Sequence, residues 1–227
     1  AYIQRQTEEG LPSYTENDRF IDDSGEKLVQ LANGDYRYKN EGRFLRFRRL
    51  TNGGWEARSP DGVQLIYGEG ESARITNQYG VFRWQLERQI DTHGNEIRYS
   101  YFKDAGCLYL NAIRYNFGQD NRDNTILLRY EPRPDHFVDR HSRAAITTAL
   151  RTSEIQMWAQ GHFVRAYRFG YIDPNLAATV VIGGEATHSL LSTITQIGED
   201  GVSTLPPTTF TYTKFDPSQY ATVAMSN

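Results

Sequence analysis

The stretch Val81-Phe82-Arg83-Trp84-Gln85-Leu86-Glu87-Arg88-Gln89-Ile90-Asp91-Thr92-His93-Gly94-Asn95-Glu96-Ile97-Arg98-Tyr99-Ser100-Tyr101 decides the fold class. Its period is two. Phe82, Trp84, Leu86 and Ile90 share one face of an extended chain, with Arg88 as the one polar residue among them, while Arg83, Gln85, Glu87 and Gln89 share the other. Side chains on a strand alternate between faces, so this pattern describes a half-buried strand. Beyond His93-Gly94-Asn95 the alternation resumes with Ile97, Tyr99 and Tyr101 against Arg98 and Ser100. Glycine and asparagine accept positive φ at little cost, as a tight turn demands. Val81–Asp91 and Glu96–Lys103 are therefore expected to pair as an antiparallel hairpin. Trp84 is expected to lie buried on an aromatic face with Tyr99, Tyr101 and Tyr115.

The same reading extends in both directions. A third run places Tyr109, Ile113, Tyr115 and Phe117 on one side, and a fourth groups Ile126, Leu128 and Tyr130, so a four-stranded meander is expected. Later strands are expected around Phe163, Tyr167, Phe169 and Tyr171, over Leu190–Ile197, and over Thr208–Thr213 with Phe210 and Tyr212. Shorter ones are expected at Arg43–Leu50, Trp55–Arg58 and Val63–Tyr67. Turn signals punctuate the chain at Asp22-Asp23-Ser24-Gly25, Asn33-Gly34-Asp35, Asn52-Gly53-Gly54, Pro60-Asp61-Gly62 and Asp200-Gly201. Ser142–Leu150 is the one candidate for a short helix, and the β-branched Thr147 and Thr148 weigh against it. The expected fold is all-β, with antiparallel hairpins and meanders in an irregular sheet scaffold or sandwich. Residues 1–213 form the domain and 214–227 a linker or docking tail. An open array of this kind leaves unpaired strand edges at its ends.

Composition agrees. Of 227 residues 13% are aromatic, led by 15 Tyr and 11 Phe, and 19 Gly supply the turns. At this length folding buries roughly 70% of the unfolded surface, so a core needs no covalent staple. The single cysteine, Cys107, has no partner for an internal disulfide, and no His/Cys cluster has metal-ligand spacing. A net charge of −3, from 25 basic and 28 acidic residues, provides no basic field for a nucleic-acid backbone. No apolar run reaches the ~20 residues of a membrane span, and the polar Ala1–Gly10 lacks the apolar centre of a signal peptide.

An ordered series of short motifs resembles the SpvB-type domain found near the N-terminus of Salmonella virulence protein SpvB and of the B components of Tc insecticidal toxin complexes, a group related to Rhs/YD-repeat proteins. The series runs from Gly10-Leu11-Pro12, Asp18-Arg19-Phe20 and Gly25-Glu26-Lys27-Leu28-Val29 through Trp55, Asp61-Gly62 and Tyr67-Gly68 to Phe82-Arg83-Trp84, Ile90-Asp91 and Gly94-Asn95-Glu96-Ile97. It continues with Tyr109-Leu110, Ile113-Arg114-Tyr115, Tyr130-Glu131, Arg133-Pro134-Asp135, Leu191–Ile197, Asp200-Gly201 and Pro207–Tyr212. The resemblance implies an Rhs-like β scaffold that joins a β-propeller to an Rhs-type shell around a separate toxin. It also implies a secreted parent protein, and partners within that parent and among other toxin-complex subunits.

Candidate chemistry is sparse, and no catalytic, cofactor-binding or metal residue is expected. Glu69-Gly70-Glu71 matches the Glu-x-Glu turn of ADP-ribosyltransferases, but Arg58-Ser59 precedes it too closely and the Ser-Thr-Ser strand of those enzymes is absent. His136, Asp139, His141 and Ser142 supply triad residue types, yet a triad needs convergence in space that near neighbours rarely achieve. Asp91, Glu96, Asp104 and Glu131 are carboxylates beside turns with nothing to set the separation a glycosidase needs. Arg129, Glu131, Arg133 and Asp135 alternate along one strand, as a solvated face, a cross-strand ion-pair row or a docking surface. The rival to a scaffold is a carbohydrate-binding β-sandwich, with Trp55 and Trp158 as stacking platforms while Trp84 serves the core.

Overall fold

The computed structural model describes residues 1–117, 123–173 and 188–212. The expected tail 214–227 lies outside them, so its boundary is left as an expectation. Sixteen strands follow one another: β1 Tyr2–Arg5, β2 Phe20–Asp22, β3 Lys27–Gln30, β4 Tyr36–Tyr38, β5 Arg46–Arg49, β6 Trp55–Arg58, β7 Gln64–Tyr67, β8 Arg74–Asn77, β9 Gly80–Ile90, β10 Glu96–Asp104, β11 Cys107–Tyr115, β12 Asn124–Asp139, β13 Ile146–Ala159, β14 His162–Ile172, β15 Leu190–Ile197 and β16 Thr208–Thr209. The one helical turn among the described residues is a 3₁₀ turn at Glu71–Ala73. No helix there is long and apolar enough to cross a membrane. Ser142–Leu150 is not helical: a turn leads into β13, whose β-branched threonines suit a strand.

All pairings between named strands are antiparallel and belong to one sheet. The glycines of the six turns read from sequence, Gly25, Gly34, Gly53, Gly62, Gly94 and Gly201, all have φ between 72° and 90°. The sheet is not open at its N-terminal end. β1 pairs with β2 on one side and with β9 on the other, through Tyr2↔Gln85, Ile3↔Trp84 and Gln4↔Arg83. With β7 also paired to β9, strands β1 to β7 and β9 close into an eight-stranded ring. Closure removes the edge that an open array would leave at β1.

Every strand of the ring sends at least one apolar side chain inward. Ile3, Phe20, Leu28, Tyr38, Phe47, Trp55, Ala57, Tyr67, Trp84 and Leu86 form one core, completed by Leu45. Trp84 is buried as expected, but its aromatic neighbours are Phe20 and Trp55, at centroid distances of 5.8 and 6.1 Å. Of the expected partners, Tyr99 packs against this core and Tyr101 against a second one, while Tyr115 is 38% exposed. The hairpin explains the difference. β9 and β10 pair only over Glu96↔Ile90, Ile97↔Gln89 and Arg98↔Arg88, after which β9 turns to the ring and β10 stays with β11. The Tyr101 hydroxyl, donating to the Leu86 carbonyl at 2.5 Å, spans the divergence. The second core, Ile75, Phe82, Leu108 and Ile146, fills the space beyond.

One glycine makes the Trp84 position possible. Gly68 has φ +54°, and a Cβ there would meet Trp84 Cδ1 at 2.6 Å. The indole N–H donates to the Gly53 carbonyl at 2.9 Å, so the buried ring has its polar atom satisfied.

Candidate functional site

Beyond the ring, β10 to β16 continue as a meander whose long central strands have a different texture. β12, β13, β14 and β15 span 16, 14, 11 and 8 residues, yet Asp135, Ile146, Ala166 and Ile197 are the fully buried residues among them. The remainder are half-buried or exposed, because the described chain places no second layer over this sheet.

Its internal bonding replaces the missing core. Between the pairs Pro132↔Leu150 and Phe137↔Thr148, four residues of β12, Arg133 to His136, oppose the single Ala149 of β13. Such a bulge leaves backbone donors without ladder partners. The Tyr109 hydroxyl accepts from the freed N–H groups of Ala149 and Leu150 at 2.8 and 3.1 Å. Tyr130 and Tyr171 similarly donate to the carbonyls of Leu110 and Thr152.

The bulge also turns Asp135 inward, where it is 7% exposed. It accepts from Arg133 Nε and Nη2 at 3.0 and 2.7 Å, and from the backbone N–H and hydroxyl of Ser189 at 2.7 and 2.6 Å. The Arg133 guanidinium, with the Ser189 donors, holds this carboxyl far below the usual range. Arg151 lies across the strands, donating to Glu131 at 2.8 Å, Asp173 at 2.6 Å and the Ser189 hydroxyl at 2.8 Å. Of the alternating charges of β12, Glu131 pairs across the strands with Arg151, Arg133 pairs with the buried Asp135 within β12, and Arg129 is exposed. Sequence reasoning missed the burial of Asp135. Pro132 and Pro134, two residues without N–H donors inside one strand, were the available sign of a bulge.

The remaining candidates separate. Glu69 receives Arg88 Nη2 and Nε at 2.7 and 2.9 Å, and Glu71 begins the 3₁₀ turn. His141 Nδ1 meets Asp139 at 2.6 Å on the surface, but the Ser142 hydroxyl is buried and donates to the Ala144 carbonyl, so it has no base. His136 is exposed on β12. Asp91 accepts from the N–H groups of its own turn, Glu96 pairs with Arg88 and Arg98, Glu131 pairs with Arg151, and Asp104 ends β10. Trp55 is fully buried, which removes it as a sugar platform. Trp158 is half-buried and packs edge-on against Phe163 at 5.3 Å.

What the outer sheet does present is exposed apolar side chains on several of its strands and along the segment after β15. Phe137 and Ile172 are each 49% exposed and Leu205 is 56% exposed, with Val138, Phe210 and Tyr212 exposed nearby in sequence. Of the expected strand Thr208–Thr213, β16 covers Thr208–Thr209, Phe210 to Tyr212 are not in a strand, and Thr213 lies outside the described residues. Residues 204–210 nevertheless line β15, through Ile197↔Thr204, Leu205 N–H to Gln196 and Phe210 N–H to Ser192. They are the terminal rim of the described sheet.

Residues 35–130 match the family model described as Salmonella virulence plasmid 65kDa B protein, SpvB. The mono(ADP-ribosyl)transferase SpvB of Salmonella typhimurium is 26% identical over 157 residues, covering 55% of this chain and 26% of that protein. The chain thus spans about a quarter of the curated relatives it matches. In fold it is similar to the N-terminal domain of effector protein SpvB from Salmonella typhimurium strain LT2, with TM-score 0.71, 16% identity, and 87% of this chain and 86% of that one covered. It is likewise similar to part of the TcdB2-TccC3-Cdc42 crystal structure, with TM-score 0.78, 21% identity, and 97% of this chain and 14% of that one covered. A third likeness is to the Photorhabdus luminescens Tc holotoxin pore, with TM-score 0.75, 21% identity, and 93% of this chain and 14% of that one covered. The expected resemblance to SpvB-type domains therefore stands, by sequence in the middle of the chain and by fold across nearly all of it.

Proposed function

We propose that this chain is a non-enzymatic assembly domain of a secreted bacterial toxin-type protein, in which the ring is the rigid body and the outer sheet docks on other segments of the same parent. The observation that carries the reading is the long, single-layered sheet of β12 to β15, with apolar side chains left exposed at its terminal rim. Exposed apolar surface along a sheet edge suits an interaction site. Docking within one polypeptide profits from a high effective concentration, so such a surface functions without tight intrinsic affinity.

The likeness to Tc toxin assemblies supports the choice of partner: a β-propeller, an Rhs-type shell, and through them other toxin-complex subunits. The dispersal of Glu69, His141, Ser142 and the turn carboxylates into separate hydrogen bonds supports a scaffold over an enzyme. No cofactor or metal enters this reading.

Hydrogen exchange of the chain, compared with that of the longer parent, tests it. Added protection in the parent is expected along residues 204–212 and in β12 to β15. Equal exchange in both proteins, joined to binding in a glycan screen, would favour the carbohydrate-recognition alternative.

A further inference from the structure

At the end of the ring where β5 meets β6 the core contains a cation. Arg49 follows Phe47 by two on β5, so period two turns it inward, opposite Trp55 in the β5–β6 register. Its guanidinium carbon lies 4.6 Å from the Trp55 ring centroid, 4.7 Å from that of Trp84 and 5.8 Å from that of Phe20. Tyr36 closes against Trp55 at 5.0 Å. Aromatic faces stabilise a cation, but they accept none of the directional hydrogen bonds that a guanidinium donates.

Two donors here are unanswered. Arg49 Nη1 and Trp55 Nε1 are both buried with no hydrogen-bond partner among the described residues. A buried donor left unpaired costs free energy, and a charged one costs more. Both belong to residues paired across adjacent strands, so they fall in one neighbourhood.

Cations outnumber the free carboxylates around it. Arg5 enters the same end, with its guanidinium 5.8 Å from the Trp84 ring, and the nearby carboxylate Asp18 is engaged by Arg5 itself, Ser13 and the Tyr14 N–H. Arg74 donates to the carbonyls of Asn52, Gly68 and Glu69. Burial, with the charges of Arg5 and Arg74 added and only Tyr36 acting against them, lowers the Arg49 pKa to about 10. Three guanidinium groups therefore share this end with Asp18, which is already bound, and with Glu16, which acts on Tyr36.

We propose that this end of the ring binds a compact monoanion, a halide or a carboxylate, seated on the Arg49 guanidinium and the Trp55 indole N–H. Either source of the charge meets the same donors: a free ion, or an Asp or Glu side chain from elsewhere in a longer parent. The site is independent of the docking surface on the outer sheet.

Thermal unfolding of the 227-residue chain, titrated with chloride or formate against bulky isethionate at constant ionic strength, tests it. An ion that binds only the folded state raises Tm with the logarithm of its concentration. That rise is expected in the wild type, with apparent affinity about tenfold weaker in Trp55→Phe, the worth of one buried hydrogen bond, and no rise in Arg49→Met. Equal slopes in wild type and Arg49→Met for both anions overturn the proposal.

Should Arg49→Met fail to fold, wild-type crystals soaked in bromide and in formate decide. Either anion on Nη1 supports the site, and water there in both soaks overturns it. In the longer parent, a protein carboxylate on Arg49 with loss of the anion response identifies the side chain as the source. A persisting response identifies the free ion.

Discussion

The ring and the outer sheet are made from the same hairpins but held by different forces. Ring strands β1 to β7 are only 3 or 4 residues long, yet they enclose Trp55 and Trp84 at 0% and 1% exposure. Sheet strands β12 and β13 run 16 and 14 residues with almost nothing fully buried. The lesson is that strand length does not set the core: closure does, because a sheet returning on itself gives every inward residue a facing partner. An unclosed sheet must rely on ladder bonds, tyrosine hydroxyls and ion pairs, each worth less than a buried ring.

The largest effect that would sharpen the contrast is at the tryptophans. Trp84→Ala is expected to cost about 3–5 kcal/mol in urea denaturation, and Trp158→Ala, from the half-buried sheet, less than half as much. Equal losses would erase the distinction between the two regions.

Next comes Asp135, the buried anchor of the sheet. Asp135→Asn is expected to cost about 2–3 kcal/mol, as hydrogen bonds to a charged group are lost. Because the folded state holds this carboxyl well below its ordinary range, its stabilising contribution is complete above the unfolded pKa of about 3.9 and drains away as pH falls below it. The variant should therefore show a shallower loss of stability between about pH 4 and 2 than the wild type. Parallel acid curves would contradict the assignment.

Tyr109→Phe is expected to cost about 1–2 kcal/mol, since the Ala149 and Leu150 N–H groups lose their acceptor at the bulge. Faster amide exchange at those two residues would be its signature, and unchanged exchange would show that the ladder supplies other partners. Smallest of all, Glu69→Gln with Glu71→Gln should change stability by no more than about 1 kcal/mol and leave the parent's toxicity intact. Selective loss of toxicity in a well-folded double variant would return this turn to the list of chemical sites.

The hairpins were legible because their signals are local. Positive φ at Gly25, Gly34, Gly53, Gly62, Gly94 and Gly201 followed from residue types within each turn, and the β9–β10 connection followed from alternation on either side of Gly94. The candidate site was less legible. The burial of Asp135 depends on a bulge that places four residues against one, and the inward position of Arg49 depends on which face of β5 the ring encloses.

By itself the sequence determined an antiparallel all-β chain, the positions of most of its turns and a buried Trp84, since each of these rests on residues only a few positions apart. Tertiary structure alone decided that Ile3 pairs with Trp84, that Trp55 is core and not a platform, and that an arginine lies among the rings. Alternation along a strand says which side chains share a face, but what that face meets is set by partners some eighty residues away, where loop-closure entropy is offset only once the whole ring has formed.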